Sequence, residues 1–316
     1  MQSRNYTSGG MLMATTRWID TQTSILEEAI MLLCDAVEDD SEDLSIYRKN
    51  CRLGKAFSSN KTVKINGRDI EYNIIKYSYE QVTVVPAPGE DRVIPKSGII
   101  IVYHSGTAVN YIVDQNSQAQ KMLRKLLSYT GKNEIQKNTF EFSNDFFIWL
   151  INRVYNKLYT IENTADETMT LQLDAIKGVK GDTEDSQTKV SADGEAVMNV
   201  ISTLSFLLES GKLNQIKLDL SYTNHANISL NLQHSTVSVD IKYYQGIYEQ
   251  DGDERCMAEL YLLIYLEILP ILEQEYRTEI VEETWNQNAY IQFMNSVADT
   301  LNEKIQAKIS SLNGDE

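Results

Sequence analysis

Residues Lys217 to Gly246 read KLDLSYTNHANISLNLQHSTVSVDIKYYQG, and together with Ile216 they place an apolar side chain at every second position. The apolar sets are Ile216, Leu218, Leu220 and Tyr222, then Ile228, Leu230 and Leu232, then Val237, Val239, Ile241 and Tyr243. Successive side chains of a strand point to opposite faces, so this alternation predicts three strands with one apolar face each. Lys217, Asp219, Ser221, Ser229, Asn231, Gln233, Ser238, Asp240 and Lys242 take the other face. Such a meander packs on helices from one side and meets water on the other, which puts the chain in the α+β class.

Working outward, LYLLIYLEILPIL from Leu260 is an apolar run interrupted by Glu267 and Pro270. It is too short for a membrane span of about 20 residues and reads as a buried helix kinked at its proline. A last helix from Trp285 carries Tyr290, Phe293, Val297, Leu301, Ile305 and Leu312 in a near-heptad stripe, read as core packing. Before the meander, GEAVMNVISTLSFLLES is a helix by its apolar spacing, capped by Ser191 or Asp193 and released at Gly211.

The first half opens on an amphipathic helix, with Ser24 and Glu27 at capping-box spacing. Met11 or Met13 is a plausible start. A hairpin follows a basic segment, since Asn66-Gly67 suits the positive φ of a type I′ turn. QVTVV supplies another strand, PAPGEDRVIP a loop, and GIIIVYH-SGTA-VNYIVD a second hairpin around Gly106. Ser117 and Gln120 repeat the capping spacing ahead of a helix closed near Gly131, and NDFFIWLINRVYNKL is the next helix.

Between Glu162 and Glu195 acidic residues outnumber basic ones, and Gly178 and Gly181 break the periodicity. The expected organisation is therefore two domains, each an antiparallel sheet flanked by helices. Residues 1–160 form a basic α+β domain with two hairpins and about five strands. Residues 161–190 form an acidic connector with a possible strand at LQLDAI, and residues 191–316 an acidic α+β domain. Cys34, Cys51 and Cys256 lack any metal or disulfide spacing and fit a reducing, cytoplasmic setting.

The one stretch that looks like chemistry is again the meander. Asp219 and Asp240 supply two oxygen ligands suited to Mg²⁺, and Lys242 could orient an attacking water. This arrangement resembles the catalytic core of PD-(D/E)xK nucleases, which implies a metal-dependent nuclease with Mg²⁺ as cofactor. Asp stands where Glu is commoner in the triplet, and the strands have one exposed face. The competing reading is that Asp and Lys alternate on a solvated strand face. His104, His225 and His234 have no ligand spacing, and the last two read as surface histidines beside turns. No other catalytic fingerprint is present.

Charge is unevenly distributed. The formal net charge is −16, yet Leu44 to Lys157 holds seventeen Lys/Arg against nine Asp/Glu, and Glu249 to the end holds fifteen acids against four bases. Arg48, Lys49, Arg52, Lys55, Lys61, Lys64, Arg68 and Lys76, interleaved with Phe57, Tyr72, Tyr77 and Tyr79, form a candidate surface for nucleic acid or an acidic partner. Opposite charges on the two halves also suit head-to-tail self-association. The resulting expectation is a non-enzymatic interaction or accessory subunit of a bacterial intracellular assembly, such as an antiviral defence system, needing no cofactor and spanning no membrane. The alternatives are a nucleic-acid-binding or sensing module and the Mg²⁺-dependent nuclease.

Overall fold

The structure is a computed structural model, and it describes residues 13–35, 46–83, 92–115, 117–163, 168–183, 189–193, 208 and 210–313. It has an α+β fold in two parts, each an antiparallel sheet with flanking helices. The first sheet comprises β1 (Thr16–Asp20), β2 (Ile46–Lys55), β3 (Lys61–Ile65), β4 (Arg68–Thr83), β5 (Arg92–His104), β6 (Val109–Val113) and β7 (Ile135–Lys137). Its order is β2-β4-β5-β6-β1-β7, with β3 on β4 beside β2. Helices α1 (Leu26–Cys34) and α2 (Ala119–Leu126) cover its outer face in a cluster that includes Ile30, Leu33, Tyr77, Tyr111 and Leu123.

Several local expectations need correction here. The helix expected to open the chain is preceded by a strand, TRWID (β1), paired with β6 and β7 inside the sheet. The basic segment is itself a strand, β2. QVTVV is no separate strand, because Gln81–Thr83 ends the 16-residue β4. The loop read at PAPGEDRVIP is strand from Arg92 onward, with Pro95 opposite Glu80. Neither capping box forms: α1 and α2 have no side-chain cap, and Gln120 instead donates to the Ile135 carbonyl at 2.8 Å. Helix α2 ends at Ser128, not Gly131. Ser128 has φ 57°, and Tyr129 N donates to Arg124 O at 2.8 Å, a Schellman closure with serine in the left-handed position. The turn at Asn66 (φ 48°) and Gly67 (φ 71°) is as the sequence predicts, and so is the hairpin around Gly106.

Helix α3 (Asn144–Tyr155) is capped by Ser143, whose hydroxyl accepts from Phe146 N at 3.0 Å. The second sheet contains β8 (Thr160–Glu162), β9 (Thr170–Thr183), β10 (Lys189–Asp193), β11 (Ser210–Tyr222), β12 (His225–Gln233), β13 (Thr236–Val239) and β14 (Gln245–Gly246). Within the stretch read as a connector, the strand expected at LQLDAI is part of the 14-residue β9, paired along its length with β11. Ser191 and Asp193, read as helix caps, lie in β10; nearly all of the helix expected after them falls outside the described residues. Helix α4 (Asp253–Leu263) runs through a π-helical turn (Ile264–Ile268) into α5 (Leu269–Val281), and α6 (Gln287–Asn313) closes the chain. Pro270 has no N–H to continue the α ladder; the wider turn just before it absorbs the mismatch, and Leu269 N reaches back to Ile264 O.

Phe146–Ile151 in α3 and the stretch from Leu260 in α4 to Leu272 early in α5 are buried nearly all round, the pattern of a helix covered on every side. One core cluster joins them to the inner faces of both sheets: Tyr72, Ile74, Ile101 and Tyr103 from the first, Leu173, Leu218, Leu230 and Val237 from the second, and Trp149, Leu260 and Tyr265 from the helices. Thr15 adds a direct backbone link, exchanging hydrogen bonds of 2.8 and 3.0 Å with Val237.

Candidate functional site

Strand β11 delivers the expected alternation. Ile216, Leu218, Leu220 and Tyr222 are buried, while Lys217, Asp219 and Ser221 are half-buried on the opposite face. Strand β13 does not extend as the sequence suggests, because it stops at Val239. Asp240 starts a turn, accepting from Lys242 N at 3.1 Å, and leaves Lys242 and Tyr243 exposed. Asp240 and Lys242 thus belong to one turn, and Asp219 to strand β11. Asp219 Oδ2 lies 3.3 Å from Lys177 Nζ. Ser229 stands between the aspartates, opposite Asp219 in register and accepting from Asp240 N at 3.0 Å. Asp174, beside Ser221, has its carboxyl raised by burial, with the charge of Asp219 adding to the shift. Among the described residues no three His, Cys, Asp or Glu side chains converge as a metal-ligand group.

The eight basic candidates spread over β2, β3 and β4 and occupy both sheet faces. Lys49, Arg52 and Lys76 share the face of Ser78 and Glu80, whereas Lys55 pairs with Ile75 on the other. Lys64 stands opposite Asp69. Arg48 pairs with Gln81 and Arg68 with Ile65, and Lys61 lies 5.6 Å over the Phe57 ring. The interleaved tyrosines are core: Tyr72, Tyr77 and Tyr79 are buried, with Tyr72 Oη donating to Glu259 at 2.9 Å and Tyr77 Oη to Asp114 at 2.6 Å. Strand β2 also carries a register shift between Lys49 and Arg52. A bulge and several lysines or arginines are what blunt the open edge of a sheet.

The charge split of the sequence is partly closed within the molecule. Arg153, from the basic half, is buried among Glu275 and Glu279 of the acidic half, with Leu158 O and Thr160 O completing its guanidinium at 3.2 and 2.8 Å. Lys76 pairs with Glu254. Complementary charges that the sequence offers for contact between copies are in these cases neutralised across the shared core.

The densest set of buried ionisable groups lies where α4 and the π turn meet both sheets. Glu259, in α4, accepts from Tyr72 of the first sheet and from Arg255 Nε at 2.9 Å; burial raises its carboxyl above the ordinary range, against the pull of those two partners. Glu267, in the π turn, accepts from Tyr222 Oη of the second sheet at 2.6 Å and from Asn66 N in the first sheet's hairpin at 3.2 Å. His225 is not on the surface as its turn position suggests. It is buried among Tyr222, Tyr244 and Tyr248, with Nδ1 at 2.7 Å from Tyr244 Oη, and burial lowers its pKa to about 4. Cys256 nearby is a free thiol pushed up to about 11 by burial. Each carboxylate here holds two elements together, and its acceptor capacity is directed at protein donors. Glu267 had a sequence signal, a lone charge inside the apolar run of residues 260–272; a charge there must be paired.

Several large aliphatic side chains face outward on α5 and α6. Ile280, Val281, Ile291, Ile305, Ile309 and Leu312 are exposed on α5 and α6, with Val281 at 81% and Leu312 at 64%. The near-heptad stripe read as core is core only as far as Val297 and, partly, Leu301. A groove of about 450 Å³ runs along α5, lined by Pro270, Glu273, Arg277 and Val281. No protein-family model matches this chain, and no curated protein matches its sequence. No helix among the described residues is long and apolar enough to cross a membrane.

Proposed function

We propose that this chain is a non-enzymatic interaction subunit that binds a protein partner through the surface of α5 and α6. The observation that carries the reading is the exposed aliphatic side chains of α5 and α6, Ile280 and Val281 at the end of α5 and Ile305, Ile309 and Leu312 on one face of α6. Aliphatic side chains grouped on one stretch of surface are the composition of a protein-binding face, whereas scattered ones are ordinary. The buried carboxylates support it indirectly, since Glu259, Glu267 and the Arg153 partners are occupied in joining the sheets. An intracellular, reducing compartment and membership of a larger bacterial assembly, such as an antiviral defence system, belong to the same proposal.

Two measurements test it. Plasmid incubated with Mg²⁺ and wild type, Asp219→Ala or Asp240→Ala should show the same background nicking in all three. Nicking by wild type that either substitution abolishes would overturn the reading in favour of the nuclease. A photo-crosslinking residue at Val281 or Ile309 should yield protein adducts, and one at Lys177 on the polar face of the second sheet should not.

A further inference from the structure

Where the segment after β7 meets the start of α5, four aromatic rings and Leu269 line a cavity of about 230 Å³. The rings are those of Phe140, Phe142, Phe146 and Tyr276. Each wall is fixed by bonds made elsewhere. Phe142 N donates to His234 O at 2.8 Å, Ser143 caps the helix that carries Phe146, and Tyr276 Oη donates to Asp145. Phe146 and Tyr276 meet edge to face with centroids 5.3 Å apart. The cavity is therefore preformed, and Phe140, Phe142 and Tyr276 are only half-buried around it.

Its rim is charged. Glu273 and Arg277, one turn apart on α5, line both this cavity and the groove along α5, so the two adjoin. They pair with each other, but with side chains 40% and 72% exposed the pair is worth little and is readily exchanged. Glu141, also on the rim, pairs with Lys137. Residues 137–155 and 269–283, which supply the walls, hold seven carboxylates against three cations, and Arg17, 5.2 Å over the Phe140 ring, is a fourth.

We propose that this cavity receives the guanidinium of an arginine from the partner protein, with Glu273 as its carboxylate. The excess of carboxylates favours a cation, and aromatic rings attract one through their negative faces. Among side-chain cations the planar guanidinium is the weakly hydrated one that both stacks on rings and forks onto a carboxylate. Both contacts already occur here within the chain: Arg17 stacks on Phe140, and Arg277 occupies Glu273. A hard divalent ion fits less well, because among the described residues no three ligand side chains converge. In the free chain Arg277 is the cation that the incoming arginine displaces.

This inference rests on the interaction reading above but can fail independently of it. The probes are Nα-acetyl-arginine amide and its neutral isostere Nα-acetyl-citrulline amide, titrated into the full chain at physiological salt and followed by saturation-transfer NMR. The arginine probe should bind in the millimolar range and about tenfold more tightly than citrulline. Glu273→Gln should weaken it severalfold. Arg277→Ala should tighten it, a gain that a purely structural role for Arg277 would not give, and Glu303→Gln on α6 should change nothing. All three replaced side chains are solvent-exposed or on the rim, so circular dichroism should show the fold retained. No binding of the arginine probe, equal binding of citrulline, or weaker binding by Arg277→Ala would each overturn the proposal. Protein adducts at Val281 alongside any of these results would leave the interaction reading in place, whereas arginine binding without adducts at Val281 or Ile309 would overturn that reading and with it the partner protein as the source of the arginine.

Discussion

Replacing Glu267 with Met removes the carboxylate that ties the π turn to both sheets while keeping side-chain length and helix propensity. Glu267 is 5% exposed, and its two oxygens accept from Tyr222 Oη at 2.6 Å and Asn66 N at 3.2 Å. Asn66 lies in an exposed turn, where water can replace the lost acceptor. Tyr222 is less accessible to water: its hydroxyl is buried and also accepts from Asn163 Nδ2 at 3.2 Å. A hydrogen bond to a charged group is worth about 1.5–3 kcal/mol, partly offset because the carboxylate no longer has to be desolvated. The expected loss is about 2 kcal/mol. Tyr222→Phe should cost a similar amount, and the double variant little more than either single one, giving a coupling of about 1.5–3 kcal/mol for a hydrogen bond to a charged group. Urea unfolding of the four proteins measures it. Additive losses, with a coupling below about 0.5 kcal/mol, would mean that Glu267 does not hold the second sheet through Tyr222.

Four further outcomes follow from the same geometry. The core shared by both sheets should make the chain unfold in one calorimetric transition, and two resolved transitions would contradict a common core. His225 has a folded pKa of about 4 against about 6.5 unfolded, so the unfolded state binds more protons between those values and stability falls as pH drops from about 6.5 to 4. His225→Phe should flatten that part of the stability profile, and an unchanged slope would show that the histidine is not buried neutral. Arg153→Met should cost about 3 kcal/mol, the lower end for breaking a buried pair because Glu275 and Glu279 are partly exposed; a urea-unfolding loss under about 1 kcal/mol would refute the buried role. Lys157 (φ 61°) and Glu283 (φ 59°) hold the left-handed position of helix ends, so glycine at either should raise stability by about 0.5–1 kcal/mol in thermal melts, and a loss would contradict that backbone conformation.

What the sequence discloses depends on whether a segment's neighbours leave one side open. The strands β11 and β12 have one solvated face, so their alternation is legible and the sequence reading holds from Ile216 to Leu232. Ile100–Tyr103 and Val109–Val113 are buried on both faces and read as continuous apolar runs, legible as strands but silent about what covers them. The same holds for FFIWLI in α3 and for residues 260–272: helical stretches apolar nearly all round signal a covered layer, but not that two sheets share it. Strands β1, β2 and the far end of β9 were missed for a different reason. TRWID is short, β2 is basic because it is an edge, and β9 contains Gly178 and Gly181, so local composition resembles loop or connector while pairing with β6, β4 and β11 makes each a strand. Of the candidate site, Asp219 was placed correctly on the polar face; Asp240 and Lys242 were not, because the turn that removes them from the strand is closed by Asp240's own side chain.

The central claim is that the surface of α5 and α6 is a protein-binding face, and site-specific photo-crosslinking tests it most directly. A crosslinking residue at Val281 or Ile309 should give protein adducts that one at Lys177 does not. Adducts at Lys177 equal to those at Val281 and Ile309, or none at any of the three, would contradict the account.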